Sequence, residues 1–252
     1  MRKNILIISC LMVIALVLGA CDDTPSKPKP NDSVFVPEPN FDFEEWTGTF
    51  NDKKELMYEE PKGGFWTTTN RLRLLGGPVT TEKSTDSYAG QYAARMETKQ
   101  FGTLIITGMI LAGEFNPDKY PDKPNYINTG QPFKGKPIRL MGYYKYQGVD
   151  NDSGSVFFAM TKWNTQLKKT DTIAEVWQVL GNTNTYTKFD IALKYYFPDV
   201  EPDSIRIACI SSTQGRYFTD PANTRVGSVL YIDELSMEMP GGKIIRLYSG
   251  GR

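Results

Sequence analysis

Histidine is absent from all 252 residues. That removes most zinc sites, haem ligation through imidazole, and every Ser-His or Cys-His nucleophile pair. A positive surplus is missing too, since 29 Lys and Arg balance 29 Asp and Glu. Nucleic-acid binders and polybasic membrane-surface proteins need such a surplus to hold phosphates, so both classes are excluded. The chain also lacks a Gly-rich phosphate loop, a Cys-x-x-Cys pair, a basic amphipathic helix and any internal repeat. Cysteine is scarce. Of the three, Cys10 and Cys21 lie at the N-terminus and Cys209 stands alone. With Cys21 modified, the mature chain can form no internal disulfide. Cys209 lies between apolar neighbours in a strand-like run, with no histidine to activate it, and reads as a small core residue.

What the N-terminus does contain is an export signal with a lipid-anchor address. Arg2 and Lys3 precede an apolar stretch over 5–18, broken only by Ser9 and Cys10. It falls short of the roughly 20 residues a membrane-spanning helix needs. The stretch ends in Leu18-Gly19-Ala20-Cys21, which resembles the lipobox of bacterial lipoproteins. On that reading residues 1–20 are a signal peptide, and Cys21 becomes the lipidated first residue of the mature protein. Residues 22–40 hold five prolines and read as an extended tether, so that 21–40 forms the anchored spacer. The chain would work at the outer membrane without crossing it, on its periplasmic or cell-surface side.

From Phe41 to Met239 the pattern is that of strands. Period-two alternation recurs over 91–98, 104–112, 137–146, 155–163, 172–180, 186–197, 205–210 and 226–239. Turn signals such as Gly76-Gly77-Pro78 and Asp150-Asn151-Asp152 separate these runs. Eight or nine strands without interposed helices predict an all-β fold, one antiparallel β-sandwich over 41–239. Residues 114–136, with four prolines, are expected to be a long loop, and 240–252 a C-terminal tail with room for one more strand.

The order of motifs adds a resemblance. Phe41-Asp42-Phe43-Glu44-Glu45-Trp46 opens the series and Gly64-Phe65-Trp66-Thr67-Thr68-Thr69-Asn70 follows. Next come 88–98, beginning Tyr88-Ala89-Gly90-Gln91-Tyr92, then Gly142-Tyr143-Tyr144-Lys145-Tyr146 and Ser211-Ser212-Thr213-Gln214-Gly215. Gly227-Ser228-Val229-Leu230-Tyr231-Ile232-Asp233-Glu234-Leu235 closes it. Taken together this resembles the putative carbohydrate metabolism domain of bacterial surface lipoproteins, over about 41–239. More loosely, it is similar to the jelly-roll carbohydrate-binding modules, which implies a jelly roll and a glycan partner. One departure is Phe65-Trp66, where such families often show two tryptophans.

Aromatic rings pack against the C–H faces of sugars, while sugar hydroxyls need a few fixed polar partners. Four residues stand out as carbohydrate contacts. Trp66 lies beside a flexible turn, Trp163 ends a strand next to Lys162 and Asn164, and Arg216 and Tyr217 follow a glycine in a polar loop. Trp46 and Trp177 read as core. Along 229–239 the odd positions are Val229, Tyr231, Asp233, Leu235, Met237 and Met239, so one carboxylate falls on an otherwise apolar face. Such a charge must meet a cation, a cluster of donors or a local bulge. In similar binding modules this position and an acidic residue of the opening strand hold a structural calcium. Here Asp233 and Glu44 would be the metal ligands, with Asp42 as second choice, although calcium wants six to eight oxygens. Hydrogen bonds to backbone amides at a bulge are the reading preferred over calcium, and no other cofactor is required.

Jelly-roll glycosidases array Glu-x-Asp-x-(x)-Glu along one strand face. In Asp233-Glu234-Leu235-Ser236-Met237-Glu238 the two glutamates share a face but Asp233 falls on the other, so no catalytic residue is assigned. The expectation is a lipid-anchored, non-catalytic glycan-binding protein. The alternatives are a structural or adhesive surface lipoprotein, or an accessory chain of an uptake complex with a protein partner. A glycoside hydrolase comes third.

Overall fold

The computed structural model describes residues 39–119, 127–212 and 224–247. Cys21 and the segments before and after it lie outside them, as do Arg216 and Tyr217. β1 (Trp46–Phe50) and β2 (Leu56–Pro61) form a hairpin. β3 (Trp66–Thr68), a 3-10 turn over Thr69–Leu75, β4 (Thr81–Ser84) and β5 (Ala93–Glu97) follow. β6 (Lys99–Phe101) and β7 (Leu104–Ile106) make a second hairpin. Then come β8 (Met109–Phe115), β9 (Ile127–Thr129), β10 (Gln131–Pro132), β11 (Arg139–Gln147) and β12 (Gly154–Asn164). β13 (Lys169–Leu180), β14 (Thr183–Ala192), β15 (Lys194–Tyr195), β16 (Ser204–Ile210), β17 (Val229–Glu238) and β18 (Ile244–Ile245) complete the order.

Two antiparallel sheets carry the fold. The first runs β15-β13-β12-β16-β8-β3, with β9 and β10 added beside β8 and β16. The second runs β14-β11-β17-β5-β4, with β18 beside β17. Counting only the eight principal strands (β5, β8, β11 to β14, β16 and β17), the second sheet reads first, eighth, third, sixth. The first reads second, seventh, fourth, fifth. This is the double Greek key of a jelly roll, so the expected sandwich is the fold observed.

The core follows from alternation. Val156, Phe158 and Met160 of β12 and Ile205, Ile207 and Cys209 of β16 face inward from the first sheet. Leu140, Tyr146, Phe189, Ile191, Leu230 and Ile232 meet them from the second. One end is closed by a box of rings in which Phe41, Phe43, Phe65 and Trp66 pack with centroids 4.9–5.7 Å apart. The 3-10 turn is stapled by Asn70. Its Oδ1 accepts from the Thr80 and Thr81 amides, and its Nδ2 donates to the carbonyls of Glu59 and Thr81.

Four expectations are corrected. The run over 104–112 is two strands, because Gly108 crosses so close to the Glu97 backbone that a Cβ would collide with it. The run over 186–197 changes sheets, β14 belonging to the second and β15 to the first. The 114–136 stretch is no continuous loop, since β9 pairs with β8 and β10 with β16. The fourth concerns β17. Its register against β11 shifts between Tyr143↔Asp233 and Met141↔Ser236, with Glu234 at φ 49°. This bulge moves the inward set from Leu230 and Ile232 before it to Leu235 and Met237 after it. Asp233 is therefore the residue at which the period slips, and not a charge on the core face.

Candidate functional site

The outer faces of the two sheets differ. On the first, Phe157 packs on Trp177 with ring centroids 4.8 Å apart, and Met109, Leu111, Ala159, Ala208 and Ile210 join them in a second apolar cluster. Trp177, read from sequence as core, thus belongs to the outer face. Trp163 lies on the same face at the far end of β12, half-buried, its amide donating to the Asp203 carboxylate. Near it a cleft of about 500 Å³ is lined by Phe133, Lys134, Lys162, Glu201, Pro202 and Asp203. Its carboxylates are engaged, Glu201 by Lys136 and Asp203 by the Trp163 amide.

The second sheet presents polar aromatics and charge. Antiparallel register sets Lys145 opposite Tyr231, Tyr231 opposite Arg95, and Arg95 opposite Glu82. Tyr186 of β14 completes the row, so that each of the five strands contributes one residue. At a strand spacing of about 4.8 Å the row spans roughly 19 Å. The Lys145 ammonium lies 4.3 Å from the Tyr231 ring centroid and 5.4 Å from that of Tyr186, and the Arg95 guanidinium 6.0 Å from Tyr231. Such cation–ring contacts fix ring orientation as well as adding attraction. Lys145 also pairs with the Asp86 carboxylate, and Arg95 with Glu82 and Glu97.

Above the row runs a strap, residues 86–92, that joins β4 to β5. The Asp233 carboxylate accepts from the amides of Tyr88 at 2.7 Å, Ala89 at 3.1 Å and Glu234 at 2.8 Å. Glu44 accepts from Gln91 at 2.8 Å and Tyr92 at 3.2 Å. The Tyr186 hydroxyl donates to the Asp86 carbonyl at 2.6 Å. The Tyr88 ring lies flat on Tyr143, with centroids 3.5 Å apart and planes at 9°. Burial pushes the Asp233 carboxyl up to about 7, against the pull of its three amide donors, and Glu234 adds to the rise. Tyr186 is also raised, first by burial and then by Asp233 and Asp86.

The sequence-assigned residues separate accordingly. Trp66 is 2% exposed in the ring box of the core, a correction to its reading as a sugar contact. Asp233 and Glu44 are brought to the same strap but as acceptors of backbone amides. N–H groups aimed at a carboxylate take the place a cation would need, so this pair does not fit calcium. Among the described residues no three His, Cys, Asp or Glu stand close enough to hold a metal ion. Tyr143, Tyr186, Tyr231, Lys145 and Arg95 were missed. For Tyr143 and Lys145 the signal was present, because in the alternating run over 137–146 they fall opposite Leu140, Tyr144 and Tyr146. The bulge in β17 hid Tyr231.

A search of the curated proteins found no match. Among solved structures, a putative glycoside hydrolase from Bacteroides thetaiotaomicron superposes with a TM-score of 0.60. It is 18% identical, over 77% of this chain and 69% of that one, a likeness of fold. The CBM22-1 xylan-binding domain from Paenibacillus barcinonensis Xyn10C is more distant, with a TM-score of 0.37 and 10% identity over 73% and 87%. The Phe-Asp-Phe-Glu opening, the Asn70 staple, the strap and the bulged β17 interlock into one unit. A family model spans that unit, residues 40–238, and the chain belongs to the family it describes, the Putative carbohydrate metabolism domain.

Proposed function

We propose that this protein is a lipid-anchored outer-membrane lipoprotein that binds glycan, without cleaving it, on the outer face of its second sheet. The observation that carries the reading is the row Tyr186, Lys145, Tyr231, Arg95 and Glu82, one residue per strand across the outer face, with Glu82 exposed, Tyr186, Tyr231 and Arg95 half-buried and Lys145 buried among them. Rings supply flat apolar surface for sugar C–H groups, and the cations and carboxylates between them supply fixed partners for hydroxyls. The family and the jelly-roll fold support this reading, as does the lipobox-like Leu18-Gly19-Ala20-Cys21 for the anchor.

The test is a glycan array and affinity-gel screen of the purified protein beside Tyr231→Ala and Trp163→Ala, with and without EDTA. Tyr231→Ala is expected to weaken binding about tenfold. Trp163→Ala and EDTA are expected to leave binding unchanged. Loss in Trp163→Ala alone would move the site to the first sheet, and loss in EDTA would restore the calcium role of Asp233 and Glu44.

A second reading rests on the β1–β2 hairpin, where Phe50 and Leu56 are 59% and 54% exposed. The two pair across the hairpin, and contiguous exposed apolar surface is what other proteins dock on. A folded protein that binds no glycan leaves that hairpin, and the adhesive or accessory reading, in first place.

A further inference from the structure

Aromatic side chains prefer offset or edge-to-face pairing to a flat, centred stack, because their ring faces carry like partial charge. Tyr88 and Tyr143 adopt the flat arrangement, while Tyr186 meets Tyr88 edge-on at 6.1 Å and 62°. Tyr88 is nonetheless 46% exposed, so burial alone does not force its ring onto Tyr143. The place it covers, one ring thickness above a tyrosine beside the cation–ring row, is where a sugar ring would lie on an aromatic platform.

We propose that Tyr88 is a built-in occupant of a sugar subsite on Tyr143, which a pyranose ring displaces when glycan binds. The proposal rests on the glycan-binding reading above and assigns Tyr143 as its inner platform. The strap need not move for this exchange. Its amides at 88, 89, 91 and 92 are held by Asp233 and Glu44, and its Asp86 carbonyl by the Tyr186 hydroxyl. Those contacts are to backbone, so rotation of the Tyr88 side chain into solvent breaks none of them. The ring can leave while the strap stays.

Binding that must first displace a resident ring is weakened by the fraction of molecules in which that ring is away. Removing a stacking partner of ordinary strength should therefore tighten binding about two- to tenfold. The experiment is calorimetric titration of wild type, Tyr88→Ala, Tyr88→Phe and Tyr143→Ala with neutral cello-, manno- and galacto-oligosaccharides. Tyr88→Ala is expected to bind about two- to tenfold tighter than wild type, Tyr88→Phe between the two because it keeps the ring but loses the hydroxyl's hydrogen bond to Tyr143, and Tyr143→Ala about tenfold weaker. Tyr88→Phe keeps the ring and guards against a fold defect in the alanine variant. If wild type binds and Tyr88→Ala binds equally or more weakly, Tyr88 is a bystander or a contact and the proposal is overturned. If neither binds any of these sugars, the glycan-binding reading falls, and this inference with it.

Discussion

Asp233 shows how much one carboxyl can depend on what surrounds it. It is fully buried at a bulge, with Glu234 beside it and Tyr186 close enough to feel its charge. Its value of about 7 stands well above the ordinary 3.8, because burial outweighs three amide donors. The native protein therefore takes up a proton below pH 7 that the unfolded chain accepts only near pH 4. Its contribution favours the fold most below pH 4, declines as pH rises from 4 to 7, and is flat above. The full swing is on the order of 4 kcal/mol. We expect urea midpoints of wild type relative to Asp233→Asn to fall between pH 4.5 and 8, and a difference that does not change with pH would contradict this. Asp233 was legible in the sequence as an exception to alternation. A bulge with backbone amides was among the readings of that exception and is what the structure shows, but the reversal of faces beyond it was not legible, because a slip of one residue leaves two half-patterns that each look regular. Trp66 was misread for a related reason: a glycine turn and polar neighbours resemble a surface loop, but Asn70 and the threonines are themselves buried.

At the scale of elements, the strap links distant stretches of chain. Glu44 arrives from the opening segment, Asp233 from the last long strand and Lys145 from the middle, and all three grip residues 86–92. Gly90 makes the close approach of Glu44 feasible, since it has φ 66° and a Cβ there would collide with Glu44 Oε1. Gly90→Ala should cost about 1–3 kcal/mol through left-handed strain and the displaced carboxylate. Hydrogen exchange should then speed up at the Gln91 and Tyr92 amides, with the Tyr88 and Ala89 amides on Asp233 keeping more of their protection. Uniform acceleration across the sandwich would show that the strap is not a separate unit. Long strands such as β12 and β16 were legible because one face is continuously apolar. β1 to β4, β9 and β10 were not, being short, edge-placed or polar, so that pairing partners rather than their own pattern define them. The row on the second sheet was half legible, each strand showing its outer residues without showing which strand lay beside which.

For the whole molecule, the jelly roll joins segments far apart in sequence, with Ala94 paired to Ile232 and Arg139 to Glu238. Such non-local pairing favours slow folding as one cooperative unit, since little is gained until many loops have closed. Cys209, fully buried on β16 with its thiol raised by burial, offers a probe of that cooperativity. Its alkylation, followed by peptide mass spectrometry, should track global unfolding in urea as read by circular dichroism. Labelling well ahead of unfolding would mean that β16 opens locally. The two ends of the described chain also meet. The Phe41 amide donates to the Leu247 carbonyl and the Leu235 amide to the Phe41 carbonyl, both at 2.9 Å. Force drawn through residues ahead of Asn40 thus falls first on a single tight turn over 40–43 pegged by two phenylalanine rings, and not on a ladder of strands. A domain hung this way yields under load by withdrawing those pegs one at a time, with both sheets still intact.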